Sequence, residues 1–546
     1  MEEERFIPFD HKSFQKGQLM PLLKKEVLFI PIVLFICVFL YCDRMHMAND
    51  QMESRNFLTA REILTNGSWL LPTLEGKLRI AKPPLPTWIT ALAMKWAGTD
   101  ANLIVNRIPA GICALLLALF TYLIALRISR DRGFAATTLL VLATSYQFMV
   151  SARENNWDIY AHATMAGAIW ALLEAFMRKE GKNLFFLLFS LFMVVSFYSK
   201  GPVAYWGMLL TFMISYVIAC GTKDLRENKW GILWGFILCV LLSALWPVYV
   251  YLNVPYAAKV VAFRESDAWF TTYIQPIWFY VTHMYYIIGI WLPLLLCGLV
   301  ASFIEKDWKP EEKLFVYWFI LILVSISVFP EKKIRYILPA VVPGSIVSTI
   351  VIYRLREARG WIWRLIYGVF YTVAGVLFIG AAASLVYFSA QRVPAILGAI
   401  PLAIVGVMLL YESVTRITKN AHIMTIAGVC LSIVFLLPMI LQRIGPDDAQ
   451  FFMHVRENSE VMSRDIYMTH IDSRKNLISY DIKWAINKKI QRLPNYFNYI
   501  LTQNLKKEPY AVITTRRISP SILKGRGRLA DTITTRRATY YIYLVP

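Results

Sequence analysis

The acids Asp50, Glu53 and Asp158 and the cations Arg55, Lys82, Lys200, Arg264, Lys332, Lys333 and Arg335 lie at the ends of long apolar runs or in the segments between them. A sugar hydroxyl has too high a pKa to attack well at neutral pH, so a carboxylate base assists it. A departing phosphate gains charge in the transition state, and fixed Lys and Arg stabilise that charge. With the aromatic and proline-rich segments around Trp88, Trp278 and Trp291, the set suits glycosyl transfer from a lipid phosphate.

Each residue also has a plainer reading. Asp50 and Glu53 have the spacing of a helix N-cap and its N3 partner. Asp158 stands just before an apolar run and can cap it. Lys82, in Ala81-Lys82-Pro83-Pro84-Leu85, can snorkel to a headgroup, and Lys332, Lys333 and Arg335 can each serve the same end. His162, in a run beside Asp158, reads as a proton relay, a ligand or a satisfied interior histidine. His46 and His283 flank other loops, where either can join Asp50 or Glu53 around a divalent cation. No His-x-x-x-His or other metal spacing occurs, so the sequence assigns no metal ligands and no cofactor.

The elements that must hold these residues belong in a bilayer. With 57% hydrophobic and only 17% charged residues among 546, the chain is too apolar for an ordinary soluble domain. A net charge of +21 would point to nucleic acid in a soluble protein. Here most Lys and Arg stand between apolar runs, where they set topology and meet anionic headgroups, so membrane lipids are the expected partners and nucleic acid is not. The cysteines (Cys37, Cys42, Cys113, Cys220, Cys239, Cys297 and Cys430) sit in or at the ends of apolar runs with no Cys-x-x-Cys, which predicts neither a disulfide framework nor a cysteine metal site.

Crossing ~30 Å of hydrocarbon takes about 20 apolar residues. Thirteen runs answer to this, near 27–43, 106–127, 133–150, 159–177, 184–199, 203–220, 230–252, 282–304, 314–329, 336–353, 365–389, 394–413 and 421–441. Alternate loops carry clusters such as Arg127, Arg130 and Arg132, or Arg354, Arg356, Arg359 and Arg364, which marks them as cytoplasmic. The other loops face outward, and there Lys200, Lys332, Lys333 and Arg335 run against the orientation signal. The polar start, acidic at Glu2 to Glu4, is unlike a cleavable signal peptide, so the first run is expected to remain as an anchor.

This organisation predicts a cytoplasmic segment 1–26, a membrane domain 27–442 with a long first outer loop at 44–105, and an outer domain 443–546. The first loop is expected to hold an amphipathic helix from about Asp50 to Leu64, stopped by Thr65-Asn66-Gly67 and lying along the interface. The outer domain reads as small and α/β, helical through Ile482-Lys483-Trp484-Ala485-Ile486, with β-like runs at 510–513 and 539–545.

The stretch Glu53-Ser54-Arg55 through Ala60-Arg61-Glu62-Ile63-Leu64, then Asn66-Gly67-Ser68-Trp69, Leu71-Pro72, and Lys82-Pro83-Pro84-Leu85 with Trp88 resembles the first outer loop of the aminoarabinose transferase (ArnT) and protein mannosyltransferase-like glycosyltransferases. Later segments agree in order: Arg153 to Asp158, Ser199-Lys200-Gly201-Pro202, Phe263-Arg264, and Lys332 through Tyr336-Ile337-Leu338-Pro339. The resemblance covers residues 27–345 and is weak beyond about 360. It implies a membrane all-α GT-C fold, an undecaprenyl-phosphate-linked sugar donor, and inverting transfer in an outward cavity of the inner membrane. The donor phosphate contacts it implies are Arg55, Lys82, Arg264 and Tyr336, with Lys200 and Lys332 as additions. Asp158 matches the acid of the second outer loop. The family's first loop begins with adjacent Asp-Glu, whereas this chain has Met52 and Glu53, so either Asp50 or Glu53 carries the first acid.

The acceptors consistent with this chemistry are lipid A phosphate, another lipopolysaccharide or envelope glycan, and the Ser or Thr of a secreted protein. A lipid-linked sugar transporter or flippase is the rival of another class. It would place charges at mid-span and pair broken spans, whereas here the unusual charges cluster in outward loops.

Overall fold

The computed structural model describes residues 52–357, 360–388, 392–417, 420–436, 439–440, 454–468, 480–488, 490–492, 509–515, 517–518, 527–534 and 539–545. The expected segment 1–26, the first run 27–43, His46 and Asp50 lie outside the described residues.

Each of the other twelve expected runs coincides with helix over its described residues. Among the described residues, eight helices are long and apolar enough to cross a membrane. A ninth crossing results if Arg132–Ala143 and Tyr146–Arg153, bent by 66°, form one span. The runs near 203–220 and 421–441 form shorter apolar helices. The run near 314–329 is helix Pro310–Val328, whose first turn holds Glu311 and Glu312. The chain is a multi-pass membrane protein.

Local chemistry sets the ends that matter for function. Asn156 caps helix Trp157–Met177 by accepting from the Asp158 N–H at 3.0 Å, which places Asp158 in the first turn, where a carboxylate suits the helix dipole. Helix Lys182–Lys200 stops at Gly201, whose φ of 72° and ψ of −150° suit a residue without a Cβ, so Lys200 is held at the helix end. A π-helical turn, Tyr205–Leu210, follows. On the facing side a 3₁₀ stretch, Ile334–Ala340, carries Arg335 and Tyr336 and leads into helix Val341–Glu357.

Helices Trp157–Met177 and Val341–Glu357 are almost wholly enclosed by the others, whereas Lys229–Asn253 turns most of its apolar side chains outward, as a lipid-facing helix does. Close approach at the centre depends on small residues. A Cβ on Gly167 would lie 2.8 Å from the Phe120 ring, so helices Leu103–Ser129 and Trp157–Met177 pack through that glycine.

The first outer loop is built of helix Met52–Asn66, the hairpin β1 (Thr73–Leu74) and β2 (Lys77–Leu78), and helix Leu85–Ala97. Helix Met52–Asn66 packs into the protein along one face. It buries Phe57, Ala60 and Ile63 in one core with Ala91 and Met94 of the loop and with Ile482, Trp484, Ile513 and Tyr540 of the C-terminal domain. That domain is a small α/β unit. Strands β3 (Asp465–Met468), β4 (Ile490–Arg492), β5 (Tyr510–Thr514), β6 (Arg528–Thr534) and β7 (Thr539–Val545) form a sheet in the order β4-β3-β5-β7-β6. β3 pairs parallel to β4 and β5, and β7 pairs antiparallel to β5 and β6.

Candidate active site

A cavity of about 740 Å³ opens between the first outer loop, the starts and ends of the central helices, and helix Pro255–Thr271. Its walls are largely apolar, with Trp206, Trp246, Trp269, Phe197 and Phe329 among the lining residues. Into this apolar space project five cations, Arg55, Lys82, Lys200, Lys333 and Arg335, against three carboxylates, Asp158, Glu265 and Glu331. The excess is positive, which favours an anion.

Asp158 is the hub. It is buried and ion-paired with Lys200, while Arg335 Nε lies 3.5 Å and His162 Nε2 4.0 Å from its carboxylate. Lys200 Nζ also sits 4.7 Å over the ring of Tyr336. Across the cavity Lys82 Nζ donates to Glu265 at 2.7 Å. Lys333 Nζ donates to Glu331 at 2.6 Å, and the Tyr336 hydroxyl donates to the same oxygen at 3.4 Å. Burial works against the charged form of Lys333, yet Tyr336 and Glu331 more than offset it and hold its ammonium above the ordinary lysine range. Arg55 stacks on Tyr480 of the C-terminal domain, 4.8 Å from its ring centroid. Arg79, over the ring of Trp157 at 5.3 Å, is pulled down to about 10 by burial and then by its neighbour Arg55.

Arg55, Lys82, Asp158, Lys200 and Tyr336 thus line one cavity. Other residues singled out from sequence stand elsewhere. Arg264 is exposed on helix Pro255–Thr271, and its neighbour Glu265 faces the cavity instead. Lys332 is buried with its ammonium on the carbonyls of Gln275 and Phe329, whereas Lys333 and Arg335 on either side line the cavity. Glu53 is buried outside the cavity and makes a two-pronged ion pair with Arg107, while Met52 lines it. His283 stacks on Phe279 at 4.2 Å and bonds to that residue's carbonyl. Among the described residues no three His, Cys, Asp or Glu side chains gather as metal ligands.

Sequence reasoning missed Glu265 and Glu331 as cavity residues and Arg107 as the partner of Glu53. Arg107 could have been suspected, since an arginine four residues into the apolar helix Leu103–Ser129 demands a buried counter-charge.

The sequence and the fold have known counterparts. Residues 81–246 match the family model described as dolichyl-phosphate-mannose-protein mannosyltransferase. An uncharacterised protein of Aquifex aeolicus is 26% identical over 60% of this chain and 64% of its own length. The undecaprenyl phosphate-alpha-4-amino-4-deoxy-L-arabinose arabinosyl transferase 1 of Proteus mirabilis is 25% identical over 55% of this chain and 54% of its own. The alignments therefore span less than two thirds of these relatives. The crystal structure of ArnT from Cupriavidus metallidurans bound to undecaprenyl phosphate superposes with a TM-score of 0.69, covering 95% of this chain and 98% of that one at 14% identity, which shows a common fold. The apo form of the same protein gives 0.66. The fold class is thus GT-C, a helical membrane domain with a small C-terminal sheet domain. Within that class the chain is similar in sequence to the arabinosyl transferases and shares its fold with ArnT.

Proposed function

We propose that the chain moves a sugar from a polyprenyl phosphate, most simply undecaprenyl phosphate, to a lipid or glycan acceptor on the outer face of the inner membrane. Lipid A or another envelope glycan is the acceptor class proposed. The observation that carries this reading is the convergence of Arg55, Lys82, Lys200, Lys333 and Arg335 with Tyr336 in one apolar-walled cavity. Such walls receive an isoprenoid tail, and the cations receive its phosphate. Each cation now rests on a carboxylate or a ring, so an arriving phosphate exchanges one anionic or π partner for another with little net desolvation.

In the proposed reaction the acceptor oxygen attacks the anomeric carbon from the face opposite the lipid phosphate. The carbon–oxygen bond to phosphate breaks with its electron pair going to the phosphate, which inverts the anomeric centre. Lys82, Lys200, Arg55 and the Tyr336 hydroxyl hold that phosphate, and where the acceptor is a hydroxyl Asp158 takes its proton, whereas an ionised phosphate acceptor has none to lose. Transfer to Ser or Thr of a secreted protein is a second reading, favoured by the description of the matching family model.

Mass spectrometry of lipid-linked sugars and surface glycans, in a strain with and without the chain, tests the proposal. Deletion should cause one polyprenyl-phosphate sugar to accumulate and the same sugar to vanish from one surface glycan or glycoprotein. Unchanged pools of both would overturn it.

A further inference from the structure

We infer that Glu53 is a positioning residue for Asp158, acting through the segment that precedes helix Trp157–Met177, and that its carboxylate does not touch the reacting atoms. This rests on the transfer proposed above. Glu53 and Arg107 are both buried, and the guanidinium meets the carboxylate through two hydrogen bonds of 2.8 Å. Such a pair is fixed in direction as well as in charge. The oxygen Oε1 has a second duty, accepting the backbone N–H of Asn155 at 3.0 Å. The next residue, Asn156, accepts from the N–H of Asp158 at 3.0 Å. The link therefore runs from Arg107 in the apolar helix Leu103–Ser129, through Glu53, to the backbone that starts the helix bearing Asp158.

The side chain of Asn155 secures the same segment from another direction. Its carbonyl oxygen accepts from Asn56 at 3.1 Å and from the Tyr160 hydroxyl at 2.9 Å. Glu53 and Asn56 share the helix Met52–Asn66, so the first outer loop holds the second outer loop at two points. Glu53 itself does not line the cavity, whereas its chain neighbour Met52 does. A proton acceptor must reach the proton it takes. Glu53 reaches Arg107 and a backbone amide instead.

The test separates a positioning carboxylate from a reacting one. Glu53→Gln leaves the Arg107 guanidinium buried without its counter-charge, whereas the double variant Glu53→Gln with Arg107→Gln removes both charges and keeps an acceptor for Asn155. Transfer is read as the surface glycan restored to the deletion strain. Donor-site integrity is read as binding of undecaprenyl phosphate to the purified full chain in detergent. The single variant should lose about 10²-fold in transfer, the scale of a small misplacement of a catalytic group, while still binding undecaprenyl phosphate. The double variant should recover at least about 10-fold of that loss, because the misplacement is what it relieves. A folded double variant as inactive as the single one would show that the carboxylate itself reacts, and a fully active Glu53→Gln would show that it does nothing; either result overturns the inference. If Glu53→Gln does not fold, Asn156→Ala cuts the same link nearer Asp158 without exposing a buried charge. It should lose transfer and keep binding, and normal transfer by Asn156→Ala would equally overturn it. Should wild type itself bind no undecaprenyl phosphate and restore no glycan, the failure lies with the proposed transfer and not with the role of Glu53.

Discussion

At the scale of single residues, Lys82 and Glu265 give the sharpest expectation, because they oppose each other across 183 residues of chain at 2.7 Å with each side chain about a third exposed. Lys82→Ala should cost transfer roughly 2–4 kcal/mol of transition-state stabilisation, the usual worth of one electrostatic contact to developing charge. Glu265→Gln should act in the opposite direction on binding. It frees the Lys82 ammonium from a competing carboxylate, so undecaprenyl phosphate should bind about 2- to 5-fold tighter, the range set by a partly exposed ion pair. Titrating each purified variant with undecaprenyl phosphate, and comparing transfer in cells, checks both. Weaker binding by Glu265→Gln would mean that Glu265 holds Lys82 in place for the phosphate and does not compete with it.

At the scale of elements, helix Tyr480–Ile486 ties the outer domain to the site. Trp484 is almost fully buried, packs 5.3 Å from the Phe57 ring, and its carbonyl accepts from Arg61 at 3.1 Å. Trp484→Ala should remove about 3–5 kcal/mol of packing from this joint, seen as faster limited proteolysis of the outer domain and reduced transfer. Unchanged proteolysis would mean that the domain is held without it. This joint shows where sequence reading stops. The helix through 482–486 and the strands at 510–513 and 539–545 were legible from their apolar periods, as were the long runs of the membrane domain. β4 and β6 were not, because Ile490–Arg492 is short and Arg528–Thr534 is a polar edge strand whose pattern carries little apolar alternation. Nor could periodicity show that Phe57 and Trp484 share a core, since that contact is made in space and not along the chain. The same limit applies to the site. Residue types marked helix Pro255–Thr271 and segment 331–335 as cationic, but neighbours on a helix point about 100° apart, and neighbours in extended backbone such as Lys332 and Lys333 point to opposite sides. Arg264 and Lys332 therefore turn away while Glu265 and Lys333 face the cavity.

At the scale of the whole molecule, orientation follows from where the charges fall, and a reporter active only outside the cytoplasm tests it. Fused after Arg443 the reporter should be active, and fused within 221–229 it should be silent. A silent fusion after Arg443 in a properly inserted protein would put the cavity on the wrong face for the proposed donor. The shared core of the first outer loop and the C-terminal domain also imposes an order on biogenesis. Phe57, Ala60 and Ile63 leave the ribosome long before Ile482 and Trp484, their partners in that core. Arg61 must wait 423 residues for the carbonyl it donates to, which at about 5–20 residues per second is about 20–85 s of synthesis. Through that interval helix Met52–Asn66 keeps an apolar face uncovered. Arg55 likewise lacks the ring of Tyr480 against which it is set. The cavity therefore takes its final form only when the late-made domain has docked, so a nascent chain stalled in the membrane domain holds a cavity that is not yet assembled.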